Sequence, residues 1–270
     1  MFRTRNGRKG KHRPVENLSF STYIILWIAG LFAGFVDSIA GGGGMISLPA
    51  LLSVGVPPHL ALGTNKLQGT FGSFTASLNY SRNGLVAFRG ILPGICFTAL
   101  GALIGTIVIQ YLSAKFLSHI MPILLAGVFF YTLFSPNLGE KDRISNTPEF
   151  LFYALAGLSL GFYDGFFGPG VGSFWAIAFV LFLGLLGLNL KKGTAHTKIM
   201  NFTSNIVSLL AFIFGGHVLY TAGIVMGVGQ ILGAYLGSHL VMLKGVRFVR
   251  IFFLSVVALT ILKLIWTTYF

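Results

Sequence analysis

From Gly90 to Leu112 the chain carries no charged side chain. A run of that length supplies the roughly 20 apolar residues a helix needs to span a bilayer. Long apolar runs, bounded by charge and turn residues, recur at about 21–54, 62–81, 90–112, 116–134, 150–187, 194–215, 218–241 and 249–268. With 54% of the 270 residues hydrophobic and only 9% charged, a soluble globular domain is excluded. Strand signals are absent, so the predicted fold is an all-α polytopic membrane protein.

The first run is too long for one crossing. As a continuous helix, residues 21–54 would extend about 50 Å at 1.5 Å per residue, against a hydrocarbon core about 30 Å thick. A lone aspartate and a glycine-rich break interrupt it, where Gly34-Phe35-Val36-Asp37 runs into Gly41-Gly42-Gly43-Gly44. The run at 150–187 repeats the pattern, with Gly161-Phe162-Tyr163-Asp164 running into Gly168-Pro169-Gly170. Backbone broken at membrane depth is tolerated only inside protein or beside a water-filled cavity.

These strings belong to a longer duplication. Asp37 matches Asp164 at an offset of 127 residues (164 − 37), and past the loops Lys66 matches Lys198 at 132 (198 − 66). Gly84 with Gly216, and Leu100-Gly101-Ala102 with Leu232-Gly233-Ala234, keep the second register. We therefore divide the chain into a basic tail (1–20), a first membrane repeat (21–134), a polar linker (135–149) and a second membrane repeat (150–270), with about four hydrophobic segments per repeat. A break that folds back as a hairpin makes the halves inverted, and a single broken crossing makes them parallel. Inverted repeats with a cytoplasmic N-terminus are the expectation.

Six of the 19 Lys and Arg residues (Arg3, Arg5, Arg8, Lys9, Lys11, Arg13) crowd into the first thirteen positions. Ahead of an apolar run this reads as a topology anchor rather than a nucleic-acid arm. The run carries the repeated motif, so a cleaved signal peptide is not expected. The single cysteine, Cys96, excludes an internal disulfide and reads as a small core residue. No metal or cofactor is implied.

Charges inside membrane segments cost a few kcal/mol each on insertion scales, which makes each one a functional candidate. Asp37, Asp164, Lys66 and Lys198 stand out. Lys66 follows Gly63-Thr64-Asn65, and Lys198 follows Gly193-Thr194-Ala195-His196-Thr197. With Thr64 and Thr194 as expected N-caps, each lysine stands near a helix N-terminus, where free N–H groups and the macrodipole favour an anion. The alternative is that each lysine snorkels to the interface.

At helical spacing Lys198, Asn201, Asn205 and Ser208 share one face, and Lys66, Gly69, Ser73 and Ser77 share its counterpart. Substrate contacts are assigned to Lys66, Lys198, Asn65, Gln68, His196 and Asn201. Asp37 and Asp164, with Gly41, Gly42, Gly43, Gly44, Gly168 and Gly170, are assigned to the helix breaks. There a carboxylate accepts freed backbone N–H groups, with proton coupling as its alternative role. His217 and His239 read as interfacial or packing residues. Gly41 to Gly44 lacks the Gly-x-x-x-x-Gly-Lys-Ser/Thr spacing of a P-loop, so nucleotide hydrolysis is not supported.

The strings around Asp37 and Asp164, together with Thr64-Asn65-Lys66-Leu67-Gln68 and Thr194-Ala195-His196-Thr197-Lys198, closely resemble the TauE/SafE family of sulfite and organosulfur anion permeases, and in particular its widespread bacterial inner-membrane branch. The resemblance runs from about Leu31 to Trp266 and keeps the linker Pro136 to Arg143. The basic tail before Val15 departs from it. The resemblance implies an integral inner-membrane permease with two homologous halves that moves sulfite, sulfonates or related small anions. Its partners are then a small anionic substrate and the lipid bilayer, with no nucleic acid, and a homo-oligomer is compatible with it. A passive anion channel is one alternative. An intramembrane aspartyl protease using Asp37 and Asp164 is a second, disfavoured because no Gly-x-Gly-Asp string occurs and each aspartate belongs to its own repeat.

Overall fold

The computed structural model describes residues 18–86, 90–134, 148–175, 178–179 and 190–244. The basic tail to residue 17, the linker at 135–147 and the last apolar segment from 249 lie outside the described residues. Every regular element among those described is helical: α1 (Phe20–Ala40), α2 (Gly44–Ser53), α3 (Pro58–Arg82), α4 (Leu92–Tyr111), α5 (Ala114–Phe134), α6 (Glu149–Phe166), α7 (Leu190–Phe214) and α8 (Tyr220–Lys244). A short helical stretch at 171–175 follows α6. By length and composition α1, α4, α7 and α8 are long and apolar enough to cross a membrane.

The distribution of side chains is that of a membrane protein. Leu100, Leu103, Ile104 and Ile107 on α4, and Ile24, Ile25 and Ile28 on α1, are exposed, whereas Asn65, Lys66, Gln68, Asp164, Lys198, Asn201 and Gln230 are buried. Water would reward the opposite arrangement. An apolar outside around a polar inside is stable in lipid, which offers polar groups no partners.

Glycines set how closely the helices pack. On the α1–α8 seam, a Cβ at Gly30 would lie 2.3 Å from the Met226 carbonyl oxygen, and one at Gly233 would lie 1.9 Å from that of Leu31. The α4–α6 seam matches it, with Gly105 at 2.1 Å from the Phe162 oxygen and Gly165 at 2.1 Å from that of Ala102. Small residues every fourth position let membrane helices touch backbone to backbone, which is where van der Waals attraction between them is largest.

Contact registers fix the helix directions. Along α1–α8 the contacts climb together from Gly30–Met226 to Phe35–Gly237, so these helices are parallel, and α3 is parallel to α8 through Leu67–Gly223 and Phe71–Gly227. Along α3–α7 they run oppositely, from Gly63–Phe212 to Gly69–Asn205 and Phe74–Phe202, so this central pair is antiparallel. The α4–α6 contacts climb together again. Because α1 and α3 point the same way, the chain between them, which contains α2, doubles back.

The helices carrying the lysines begin earlier than the sequence reading has them. Thr64 and Thr194 are not N-caps: α3 starts at Pro58 and α7 at Leu190, so both threonines lie inside their helices. Proline's preset φ suits a first helical turn, and His59-Leu60-Ala61-Leu62 continues the helix from it. The Thr64 hydroxyl instead accepts from the Leu219 N–H at 2.9 Å, tying α3 to the α7–α8 loop. In that loop His217 stacks on His59 with ring centroids 5.1 Å apart. Burial first, and then the neighbouring His59, lower the His217 pKa from its usual 6.5.

Two outcomes are expected. Gly233→Ala or Gly105→Ala forces α8 or α4 off its partner and costs about 1–3 kcal/mol, read as a lower melting temperature in detergent, whereas Gly127→Ala, with nothing within 4 Å, is neutral or better. His217 favours its neutral form when folded, so its contribution is present above its unfolded pKa and is lost as pH falls towards the lower folded value. Mild acidification therefore lowers the melting temperature, and His217→Gln reduces that loss.

Candidate functional site

Helix α1 ends at Gly41, whose φ of 73° is left-handed and whose N–H donates to the Asp37 carbonyl at 2.8 Å. Such a φ is open to glycine at little steric cost. After α6, Gly168 (φ 96°) and Gly170 (φ 81°) make the corresponding turn before the helical stretch at 171–175. The two turns meet back to back. The Gly172 N–H donates to the Gly41 carbonyl at 3.2 Å, and a Cβ on Gly41 would lie 2.2 Å from the Gly172 Cα.

Around this contact lies a polar cavity of about 30 Å³, lined by Asp37, Gly41, Gly44, Asn65, Lys66, Gln68, Gly69, Asp164, Gly168, Val171, Asn201, Asn205 and Gln230. That volume admits one or two waters. The lining comes from α1, α2, α3, α6, α7, α8, both glycine turns and the helical stretch at 171–175. Helix α2 begins at Gly44 on the wall, so its positive end faces the cavity.

Each lysine is paired with the aspartate from the other half of the chain. Lys66 Nζ donates to Asp164 Oδ1 at 2.6 Å and to the Asp164 carbonyl at 2.5 Å. Ser204 Oγ donates to Asp164 Oδ2, and the paired side chains are 2% and 3% exposed. Lys198 Nζ donates to the Asp37 carbonyl and sits 3.4 Å from Asp37 Oδ2. Here the lysine side chain is 1% exposed and the aspartate 19%. Gly43 N–H, freed by the break, donates to Asp37 Oδ1 at 3.3 Å. Lys66, Lys198 and Asp164 are buried and Asp37 is partly exposed; Lys66 and both aspartates line the cavity while Lys198 stands at its edge behind Asp37, and a buried charge left unpaired there would cost several kcal/mol.

A chain of amides closes one wall. Ser47 Oγ donates to Asn65 Oδ1 at 2.5 Å, and Gln68 Nε2 donates to Asn65 Oδ1 at 2.8 Å and to Ser47 Oγ at 3.0 Å. Gln230 Nε2 donates in turn to Gln68 Oε1. Asn201 Oδ1 and Gln230 Oε1 are buried without a partner.

Of the residues singled out from sequence, Asp37, Gly41, Gly44, Asn65, Lys66, Gln68, Asp164, Gly168 and Asn201 line the cavity, and Lys198 reaches its edge through Asp37. His196 turns away: its Nδ1 lies 2.7 Å from the Lys192 carbonyl and its ring packs against Phe179. On the two lysine faces, Asn205 Nδ2 donates to Ser73 Oγ at 3.4 Å across α3–α7, and Ser208 shares a 2.8 Å hydrogen bond with Thr106 of α4. Gln230, Ser47 and Ser204 escape the sequence reading. Gln230 left one usable signal, as the sole amide side chain in α8.

A bilayer-type exterior, doubled-back helices and paired charged groups around a central cavity define an integral membrane protein of the transporter class. Residues 26–264 match the family model described as sulfite exporter TauE/SafE. The chain is 44% identical to the probable membrane transporter protein YfcA of Escherichia coli K12 over 245 residues, which cover 91% of this chain and 90% of that one. It is 44% identical to the probable membrane transporter protein ORF9 of a Sinorhizobium species over 236 residues, 87% of this chain and 89% of the relative. A probable membrane transporter protein of Haemophilus influenzae is 46% identical over 226 residues, 84% and 88% of the two chains. No solved structure matches. The chain belongs to the TauE/SafE family of membrane transporters.

Removing one partner of the Lys66–Asp164 pair leaves a buried charge uncompensated. Lys66→Met or Asp164→Leu alone is expected to cost about 3–5 kcal/mol. The double variant recovers much of that loss, because two apolar side chains of similar volume replace the pair. Thermal unfolding of the four proteins in detergent measures the coupling.

Proposed function

We propose that this protein carries small sulfur oxyanions, sulfite or a sulfonate, across the bacterial inner membrane through the cavity between two inverted repeats. The carrying observation is one small polar cavity lined by the buried Lys66, by amide side chains and by the first residue of α2, with the buried Lys198 at its edge behind Asp37. A lysine ammonium with amide N–H groups is a suitable donor set for a small oxyanion. Lys66 and Lys198 supply the charge, the amides of Asn65 and Asn201 supply side-chain donors, Gln68 joins them by exchanging its present bonds to Asn65 and Ser47 for the anion, and the glycine turns bring backbone to the solute. Gln230 joins the set by orienting Gln68. His196 acts from behind, by packing at the α7 end. The family description carries the word sulfite, and it supports this substrate class.

Inverted repeats are supported by how the helices exchange. If α1 corresponds to α6, α3 to α7 and α4 to α8, then the α1–α8 seam maps onto the α6–α4 seam, and Lys66–Asp164 maps onto Lys198–Asp37. The antiparallel α3–α7 pair stands at the centre, as expected where the two copies point in opposite directions. In this reading the α1–α2 turn is a re-entrant hairpin, and the basic residues before α1 hold the N-terminus in the cytoplasm.

The test is uptake of radiolabelled sulfite into proteoliposomes. Lys198→Met and Gln68→Leu each remove a charge-assisted or amide contact and are expected to slow uptake roughly ten- to hundredfold, while protein yield and thermal stability identify any variant that fails to fold. Unchanged uptake and unchanged apparent sulfite affinity in both would remove the site assignment.

A further inference from the structure

The two ion pairs at the cavity are unequal. Asp164 is enclosed: one carboxylate oxygen takes Lys66 at 2.6 Å, the other takes the Ser204 hydroxyl, and only 3% of its side chain is exposed. Asp37 is held loosely, with Lys198 at 3.4 Å and the Gly43 N–H at 3.3 Å, and its side chain is 19% exposed. Lys198 also donates to the Asp37 backbone carbonyl, a bond that does not depend on the carboxylate's charge. Protonating Asp37 therefore leaves Lys198 anchored but electrically unpaired, whereas protonating Asp164 would disturb a fully satisfied cluster.

Charge counting turns that inequality into a mechanism. Lys66, Asp37 and Asp164 line the cavity and Lys198 pairs with Asp37 at its edge, so the charges of these two ion pairs sum to zero. A monovalent anion entering alone would leave one uncompensated negative charge in a largely buried space of low dielectric, at a cost of several kcal/mol. One proton entering with it restores neutrality.

The other titratable groups facing Asp37 are engaged elsewhere among the described residues. From α3, the Tyr80 hydroxyl donates to the Ser38 carbonyl at 2.8 Å, and Lys66 holds Asp164. From α6, the Tyr163 hydroxyl donates to the Pro169 carbonyl at 2.7 Å. From α7, His196 is directed to the Lys192 carbonyl. Helices α2 and α8 line the cavity with Gly44 and Gln230, neither of which titrates.

We propose that Asp37 is the proton-coupling residue, and that one proton on its carboxylate accompanies each monovalent anion bound at Lys198. This rests on the anion-transport reading above. In the step, a solvent proton adds to Asp37 Oδ2, the Lys198 ammonium transfers its charge pairing from that carboxylate to the anion, and neutral Asp37 and the Lys198–anion pair occupy the site together. On the far side the anion leaves, Asp37 releases its proton, and the original ion pair re-forms. Charge is conserved throughout, and transport is electroneutral.

Methanesulfonate is the appropriate probe, because as the anion of a strong acid it keeps a single charge and carries no proton of its own. Added outside proteoliposomes that contain an entrapped pH dye, it is expected to acidify the lumen by about one proton per anion taken up. Asp37→Glu retains the acidification, and Asp37→Asn takes up methanesulfonate more slowly with lumen pH unmoved. A measurement on the wild-type protein in detergent avoids any folding defect: if binding takes up one proton, the methanesulfonate Kd rises about tenfold per unit of pH. Uptake by the wild type without acidification, a Kd independent of pH, or acidification that persists in Asp37→Asn would overturn the coupling and leave anion transport standing. Failure of the wild type to take up either methanesulfonate or sulfite would overturn the transport reading, and the coupling with it.

Discussion

A lysine sealed inside a membrane protein must find an opposite charge, and in this chain each buried lysine finds it on the other half of the sequence. Lys66 reaches Asp164 and Lys198 reaches Asp37. Both ammonium groups also bond the aspartate's own backbone carbonyl, just before the helix breaks. Each pair therefore anchors a broken helix end as well as neutralising a charge. With both anchors in place, the glycine turns are held against each other, and Gly41 and Gly172 share a backbone hydrogen bond.

That arrangement needs close helix contacts. The α1–α8 and α4–α6 seams are built on glycines whose missing side chains let carbonyl oxygens approach to distances that a Cβ would forbid. Tight seams exclude lipid from the polar interior and bring Gln230 of α8 against Gln68 of α3. They also force the apolar bulk outward, which gives the molecule its lipid-facing surface. Packing and site are therefore two aspects of one constraint: a polar centre is affordable only if nothing leaks around it.

A site so closed holds little free volume, and its four ionisable groups already balance. In the proposed function an anion enters such a place by exchanging partners rather than by filling a ready-made positive hole. The looser pair, open to the cavity through Asp37, is where such an exchange disturbs least, and the tighter pair keeps the helix ends in position. The proposed repeats make the two pairs equivalents by descent, while their surroundings make them different in chemistry.

Much of this was legible in the sequence. Hydrophobic runs and sparse charge defined a helical membrane protein, and the rarity of charge within the apolar segments picked out Asp37, Asp164, Lys66 and Lys198. Those signals are local, because hydropathy and charge are read residue by residue. The sequence reading failed where the answer depended on neighbours. It placed helix starts at Thr64 and Thr194, although Pro58 and Leu190 begin them. It left the lysines facing an anion without their aspartates, and it overlooked Gln230. Which charge meets which, and which amide closes the wall, is decided by contacts between residues more than a hundred positions apart or nearly so. Only the packed helices bring such residues together, so the sequence by itself determined the parts and the tertiary structure alone determined the pairing.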